Sequence, residues 1–163
     1  MSHLNTLKQK IYSLEDMMST SKLWKQEGEK IVFTNGCFDL VHSAHITVLA
    51  KTADLGDKLI VGLNSDESIK KIKGKNRPII KEGSRAFLLA GLSFVDAVVL
   101  FSEETPYNLI SQLLPDILAK GGDYQESEIA GSNIVRENGG EVIIIPFIDG
   151  FSSTNIIEQI KNS

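Results

Sequence analysis

Five short apolar runs alternate with amphipathic stretches along this chain, and that alternation restricts the fold more than any other feature. The runs lie at residues 30–34, 58–63, 96–101, 116–119 and 141–147, the last with three consecutive isoleucines. Short runs rich in β-branched residues read as buried strands, whereas apolar residues three or four apart read as helix. Helical spacing covers residues 43–55, 84–94, 106–114, 128–138 and 152–161. Strands separated by helices need crossover connections and imply a parallel sheet. Strands that are apolar throughout need cover on both faces. The expected architecture is α/β, a five-stranded parallel sheet with helices on both faces. Ahead of it, Leu4, Leu7, Ile11, Leu14, Met17 and Met18 form a helical stripe. Residues 1–29 are therefore expected to form an N-terminal helical extension, broken near Ser13 or Ser19, before a domain spanning 30–163.

In such sheets ligands bind beyond the carboxyl ends of the strands, at the switch point of the strand order. The conspicuous polar residues fall there: Asn35, Asp39, Asn64, Asp66, Lys120, Asp123 and Ser152 to Thr154. The first run leads into Thr34-Asn35-Gly36-Cys37-Phe38-Asp39-Leu40-Val41-His42-Ser43-Ala44-His45, which holds two of the chain's three histidines. Residues three apart share a helix face, and a helix N-terminus attracts anions. His42 and His45 with free backbone N–H groups make a receptor for phosphate, and Gly36 lets a ligand approach the backbone. A metal bound by Asp39, His42 and His45 is the rival reading. It lacks a fourth ligand, because the remaining histidine is His3 and the one cysteine is Cys37. The bland reading leaves both histidines structural. Cys37 as a nucleophile has no general base reserved for it.

No Gly-x-x-x-x-Gly-Lys-Ser/Thr and no Gly-x-Gly-x-x-Gly occurs, so a nucleotide needs another device to hold it. Ser152-Ser153-Thr154 opens the last helix. One hydroxyl serves as an N-cap, and three exceed that need, so a second helix N-terminus can grip the same polyphosphate. Lys70, Lys71, Lys73, Lys75 and Arg77 form a basic stretch after the second strand, either a solvated loop or a lid over the site. Arg85 near the start of the next helix opposes the helix dipole. That points to an anionic partner, unless Glu82 supplies the charge. Lys120-Gly121-Gly122-Asp123-Tyr124 is a glycine turn that presents Lys120 and Asp123 to the cleft.

The net charge of −4 argues against a nucleic-acid partner. One cysteine permits no intrachain disulfide, which fits a reducing compartment. The first 20 residues contain Glu15 and Asp16 and no apolar block, so no leader peptide is expected. No run reaches the roughly 18 apolar residues of a membrane span. A cytoplasmic protein without membrane association is expected.

Together, Gly36-Cys37-Phe38-Asp39-x-x-His42-x-x-His45 and Ser152-Ser153-Thr154 resemble the signatures of the cytidylyltransferase-like nucleotidyltransferases. Within them, Phe33 to Asp39, Lys120 to Tyr124 and Ser152 to Ile157 look like the adenylyltransferase domain of the bacterial heptose kinase/adenylyltransferase. The chain leaves no room for a sugar kinase, so the likeness is to a stand-alone form. The resemblance implies a Rossmann-like nucleotidyltransferase fold and transfer of AMP from ATP to D-glycero-β-D-manno-heptose 1-phosphate for the lipopolysaccharide inner core. ATP and the sugar phosphate are the implied partners, Mg²⁺ arrives with ATP, and self-association is expected. His42, His45 and Lys75 are the implied catalytic residues. Asn35, Gly36, Cys37, Phe38, Lys120, Ser152, Ser153 and Thr154 would join the two histidines in binding nucleotide. Asp39, Asn64, Lys73, Arg77, Arg85 and Asp123 would line the substrate pocket. No protein metal site is implied. Ala44 stands where the family has glycine, and Ile157 where the wider family has a cation. A CTP-dependent glycerol-3-phosphate cytidylyltransferase is the nearest alternative, and a non-catalytic nucleotide-binding module is the alternative from another class.

Overall fold

The computed structural model describes residues 1–147, 150 and 152–163. The expected strands appear as β2 (Ile31–Gly36), β3 (Lys58–Asn64), β4 (Ala97–Phe101), β5 (Ile117–Gly121) and β6 (Glu141–Ile145). A further strand, β1 (Ile11–Tyr12), makes the sheet six-stranded, in the order β1-β4-β3-β2-β5-β6. Every pairing is parallel.

The sixth strand corrects the expected count of five. Residues 11 and 12 lie inside the stretch read as helix, yet Ile11 pairs with Val98 and Tyr12 with Val99 at the sheet edge. A β-branched and an aromatic residue fit a pleated edge, and this tertiary pairing overrides helical spacing. Ser13 separates the two helices, with its hydroxyl accepting the N–H of Asp16 at 3.1 Å. They are α1 (His3–Gln9) and α2 (Leu14–Gln26). Two further boundaries move inward: β6 stops at Ile145, and the 128–138 stretch becomes a 3₁₀ turn (Glu126–Glu128) followed by α7 (Ser132–Glu137).

Alternation along each strand divides the core into two layers. Ile31 and Phe33 face one side with Ile60, Val99 and Leu118. Met17 of α2, Leu109 and Leu113 of α6 (Tyr107–Leu113) and Val135 of α7 cover that side. Val32 faces the other side with Leu59, Val61, Val98 and Ala119, beneath Leu49 of α3 (Ser43–Ala53) and Leu89 of α5 (Glu82–Ala90). Met17 is fully buried, so the N-terminal segment contributes to the same core as the sheet.

This topology also places the site. From β2 the chain steps outward to β3 and β4, then returns to the other side of β2 for β5 and β6. The order reverses between β2 and β5, and the crevice beyond their carboxyl ends is the place where such sheets bind ligands.

Candidate active site

A cleft of about 530 Å³ opens at that reversal. Its floor is the end of β2 and the turn that follows. The turn is held in an uncommon shape, with Phe38 at φ 47° and Leu40 at φ 54°. Left-handed backbone at non-glycine residues costs energy and persists only where its surroundings enforce it. Gly36 is needed here for a reason that differs from ligand approach: a Cβ on it would stand 2.9 Å from the ring of Phe38. Phe38 in turn lies edge-on to His45, with ring centroids 5.7 Å apart.

The two histidines come together at the start of α3. His42 is its N-cap residue. The imidazoles sit 4.0 Å apart between centroids. The His42 backbone N–H donates to Nδ1 of His45 at 3.2 Å. Neutral His45 must then carry its proton on Nε2. Burial pushes His45 down to about 4, aided by His42 and Lys73, and burial also lowers His42. Both are therefore neutral donors at pH 7 in the ligand-free protein.

The start of α8 (Ser153–Lys161) forms the second wall. Ser152 is the N-cap, accepting the N–H of Asn155 at 3.0 Å. Ser153 donates its hydroxyl proton to the carbonyl of Asp39, tying the start of α8 to the turn that leads into α3. Thr154 is exposed and lines the cleft. Across the reversal, Lys120 at the end of β5 donates to the carbonyl and Oδ1 of Asn35 at 3.3 and 3.2 Å. Burial lowers the Lys120 ammonium below its ordinary value, with Cys37 opposing the shift. Beyond it, Gly122 adopts φ 127° between the rings of Tyr124 and Phe147, where a Cβ would lie 3.0 and 2.9 Å from them. Both rings line the cleft.

Asn64 and Lys73 also reach the lining, whereas four residues expected in the pocket do not. Lys75 and Asp123 are exposed outside it. Arg77 turns to Asp39, with Nε 3.0 Å from Oδ2. Arg85 is 1% exposed and donates to the carbonyls of Ile80, Cys37 and Asn64 and to Asp66, all at 2.7–2.8 Å. The acidic partner that its position called for is Asp66. Asp39 is buried at the cleft wall, but its carboxylate takes Arg77 and the N–H groups of Ile79 and Ile80. Burial alone would raise it; the Ile80 and Ile79 amides and Arg77 outweigh that and hold it below the usual carboxylate range. Asp39 is thus committed elsewhere and does not complete a metal triad with the histidines. Among the described residues no group of three or more His, Cys, Asp and Glu is placed to hold a metal.

Glu104 and Thr105 of the β4–α6 loop and Glu128 to Ala130 form the remaining wall. Their sequence carries no motif. Residues 102–106 went unnoticed, and the signal that could have found them is their place directly after β4.

A six-stranded parallel sheet with its cleft at the reversal and paired histidines at a helix start is consistent with the nucleotidyltransferase fold. The cytidylyltransferase-like profile matches residues 33–159. The chain belongs to the cytidylyltransferase-like family. It is 49% identical over 152 residues to the bifunctional protein HldE of Actinobacillus succinogenes, covering 93% of this chain and 32% of that protein. It is 53% identical over 149 residues to HldE of Pectobacterium atrosepticum, covering 91% and 31%. The chain thus spans about a third of the length of these relatives. A solved lipopolysaccharide core biosynthesis protein from Thermoplasma volcanium superposes with TM-score 0.62 and 31% identity, covering 76% of this chain and all of that one. Pantoate-beta-alanine ligase from Francisella tularensis shares the fold at TM-score 0.62 and 17% identity, over 93% of this chain and 76% of that one.

Proposed function

We propose that the chain transfers AMP from ATP to D-glycero-β-D-manno-heptose 1-phosphate, releasing pyrophosphate and ADP-heptose for the lipopolysaccharide inner core. The observation that carries this reading is identity of 49–53% with bifunctional HldE proteins across more than nine-tenths of the chain. The likeness to a lipopolysaccharide core biosynthesis protein supports the same setting.

The cleft suits the chemistry. A phosphate oxygen of the acceptor forms a new bond to the α-phosphorus, and the bond from that phosphorus to the bridging oxygen of pyrophosphate breaks. The acceptor is already an anion, so no general base is required. The protein must align the two phosphates and stabilise the charge that spreads over the transferring group. His42 and His45 offer neutral N–H donors at one helix start, and Ser152 to Thr154 offer a second start opposite. Lys73 and Lys120 supply cations, and Lys75 sits on the loop beyond. Mg²⁺ belongs to the substrate as MgATP. An ion held mainly by phosphates keeps several waters and needs few protein ligands. The Glu104, Thr105 and Glu128 wall provides acceptors for the hydroxyls of a sugar, and Tyr124 and Phe147 give flat apolar surface for a base.

Pyrophosphate release measured with ATP or CTP against heptose 1-phosphate and glycerol 3-phosphate tests the reading. ATP with heptose 1-phosphate should be turned over fastest. A preference for CTP with glycerol 3-phosphate would replace both substrates, and nucleotide binding without turnover on any pair would make the protein a binding module.

A further inference from the structure

We propose that Asp39 is a positioning residue, which clamps the far end of the lysine-bearing loop 73–77 to the phosphate-binding turn and leaves substrate contact to others. The inference rests on the reading that the cleft takes a nucleoside triphosphate, and not on which acceptor it takes.

The loop is fixed at both ends. At its near end α4 (Asp66–Lys73) stops at Gly74, whose N–H reaches the carbonyl of Lys70 at 3.0 Å and whose φ is 95°. The Arg77 N–H closes back on the carbonyl of Gly74 at 3.2 Å, so residues 74–77 make one tight turn. At its far end Asp39 collects three donors: Arg77 Nε at 3.0 Å, Ile79 N–H at 2.8 Å and Ile80 N–H at 2.9 Å. Arg85 makes a second staple between the same segments, donating to the carbonyls of Ile80 and Cys37 at 2.8 and 2.7 Å. The carbonyl of Asp39 also accepts the hydroxyl of Ser153 at the start of α8. One residue therefore joins the phosphate turn, the basic loop and the second helix start.

Charge supports the same role. A bare carboxylate in the wall of a polyphosphate site would repel its ligand. Asp39 is 2% exposed and its charge is neutralised by Arg77 and two amides. Lys73 meanwhile faces the cleft and lies near enough to His45 to disfavour its protonation. Fixing the loop end keeps Lys73 beside His45, and Lys75 on a short tether just beyond the cleft, without a loss of freedom each time a ligand binds.

A thermodynamic cycle on ATP binding tests this, read by calorimetry with MgATP. Asp39→Asn keeps the shape but replaces one acceptor oxygen with a donor group. It should weaken ATP binding by about tenfold, the effect of losing one charge-assisted hydrogen bond. In a Lys73→Ala/Lys75→Ala background the same change should add less than about twofold, because the cations it positions are gone. Trypsin cleavage after Lys73 or Lys75 should also quicken in Asp39→Asn. Should Asp39→Asn not fold, Arg77→Gln cuts the same tether and enters the same cycle. A full tenfold penalty in the double-alanine background would mean that Asp39 meets the ligand directly and would overturn the proposal. So would folded Asp39→Asn with unchanged ATP affinity and loop cleavage. The readout is nucleotide binding, so a wrong acceptor leaves the cycle readable.

Discussion

Arg85→Met separates a structural arginine from a substrate-binding one. Methionine preserves most of the aliphatic stem, so the packing of this α5 residue is largely kept and the guanidinium alone is removed. Four hydrogen bonds disappear, to the carbonyls of Ile80, Cys37 and Asn64 and to Asp66. Net worth is roughly 1–1.5 kcal/mol for each carbonyl left without its charged donor. Asp66 is 19% exposed on its side chain and keeps the N–H of Glu82 at 2.9 Å, so its loss is smaller. The sum is about 4 kcal/mol, a large share of the 5–15 kcal/mol that usually holds a domain. In a domain of this size that corresponds to a fall of roughly 8–16 °C in Tm. Urea unfolding followed through Trp24, the only tryptophan, measures it directly. The midpoint should fall with the slope unchanged. A loss below about 1 kcal/mol, together with a raised KM for either phosphate substrate, would return Arg85 to the pocket and refute the structural account.

Three further outcomes are expected. His45→Ala should lower kcat about a hundredfold or more with a smaller change in KM, as loss of one transition-state donor does; near-normal turnover would remove His45 from the chemistry. Nitrogen-15 NMR should find His45 neutral at pH 7 with its proton on Nε2 and a titration midpoint near 4. Because that value lies below the ordinary one, the stability His45 contributes is complete above pH 6.5 and is lost as pH falls toward 4; a midpoint near the ordinary value, or an Nδ1 proton, would contradict the His42 hydrogen bond. Glu104→Gln should raise KM for the sugar phosphate about threefold to tenfold, the worth of one hydrogen bond, and leave KM for ATP unchanged; a shift in the ATP value alone would move Glu104 to the nucleotide side.

What could be read from the sequence was local. The strand–turn–helix around His42 and His45 lies in one continuous stretch, so spacing alone put both imidazoles on one face. The crevice followed from strand order, a consequence of alternating elements. Arg85 was misjudged and the partners of Asp39 went unseen because those partners are distant: Arg77 lies 38 residues from Asp39, and Cys37 lies 48 residues from Arg85. A charged residue near a motif looks like a ligand contact until the chain that neutralises it is in place. Ile11 and Tyr12 were hidden for the same reason, since only the free edge of β4 makes a strand of two residues worth forming. Gly36 was noticed for its missing Cβ, but a neighbour that also needs that space, the ring of Phe38, was not visible in the sequence.

The buried polar network and the strained turn are two sides of one arrangement. Phe38 and Leu40 hold left-handed backbone that costs on the order of 1–3 kcal/mol each. Arg85 grips the Cys37 carbonyl between Gly36 and Phe38, and Ser153 grips the Asp39 carbonyl between Phe38 and Leu40. Folding therefore supplies the energy that fixes the turn before any ligand arrives. The histidines belong to this economy. A protonated His45 could not accept the His42 N–H at Nδ1, so the hydrogen bond and the depressed pKa both select the neutral ring. With Nδ1 occupied, that ring keeps its proton on Nε2 at the wall of the cleft. Donors already in place need no reorganisation as charge develops, which is where electrostatic catalysis gains most over water. On the proposed reading, a polyphosphate would meet the turn before α3 and the start of α8 as one rigid unit. The bond from Ser153 to Asp39 joins them directly.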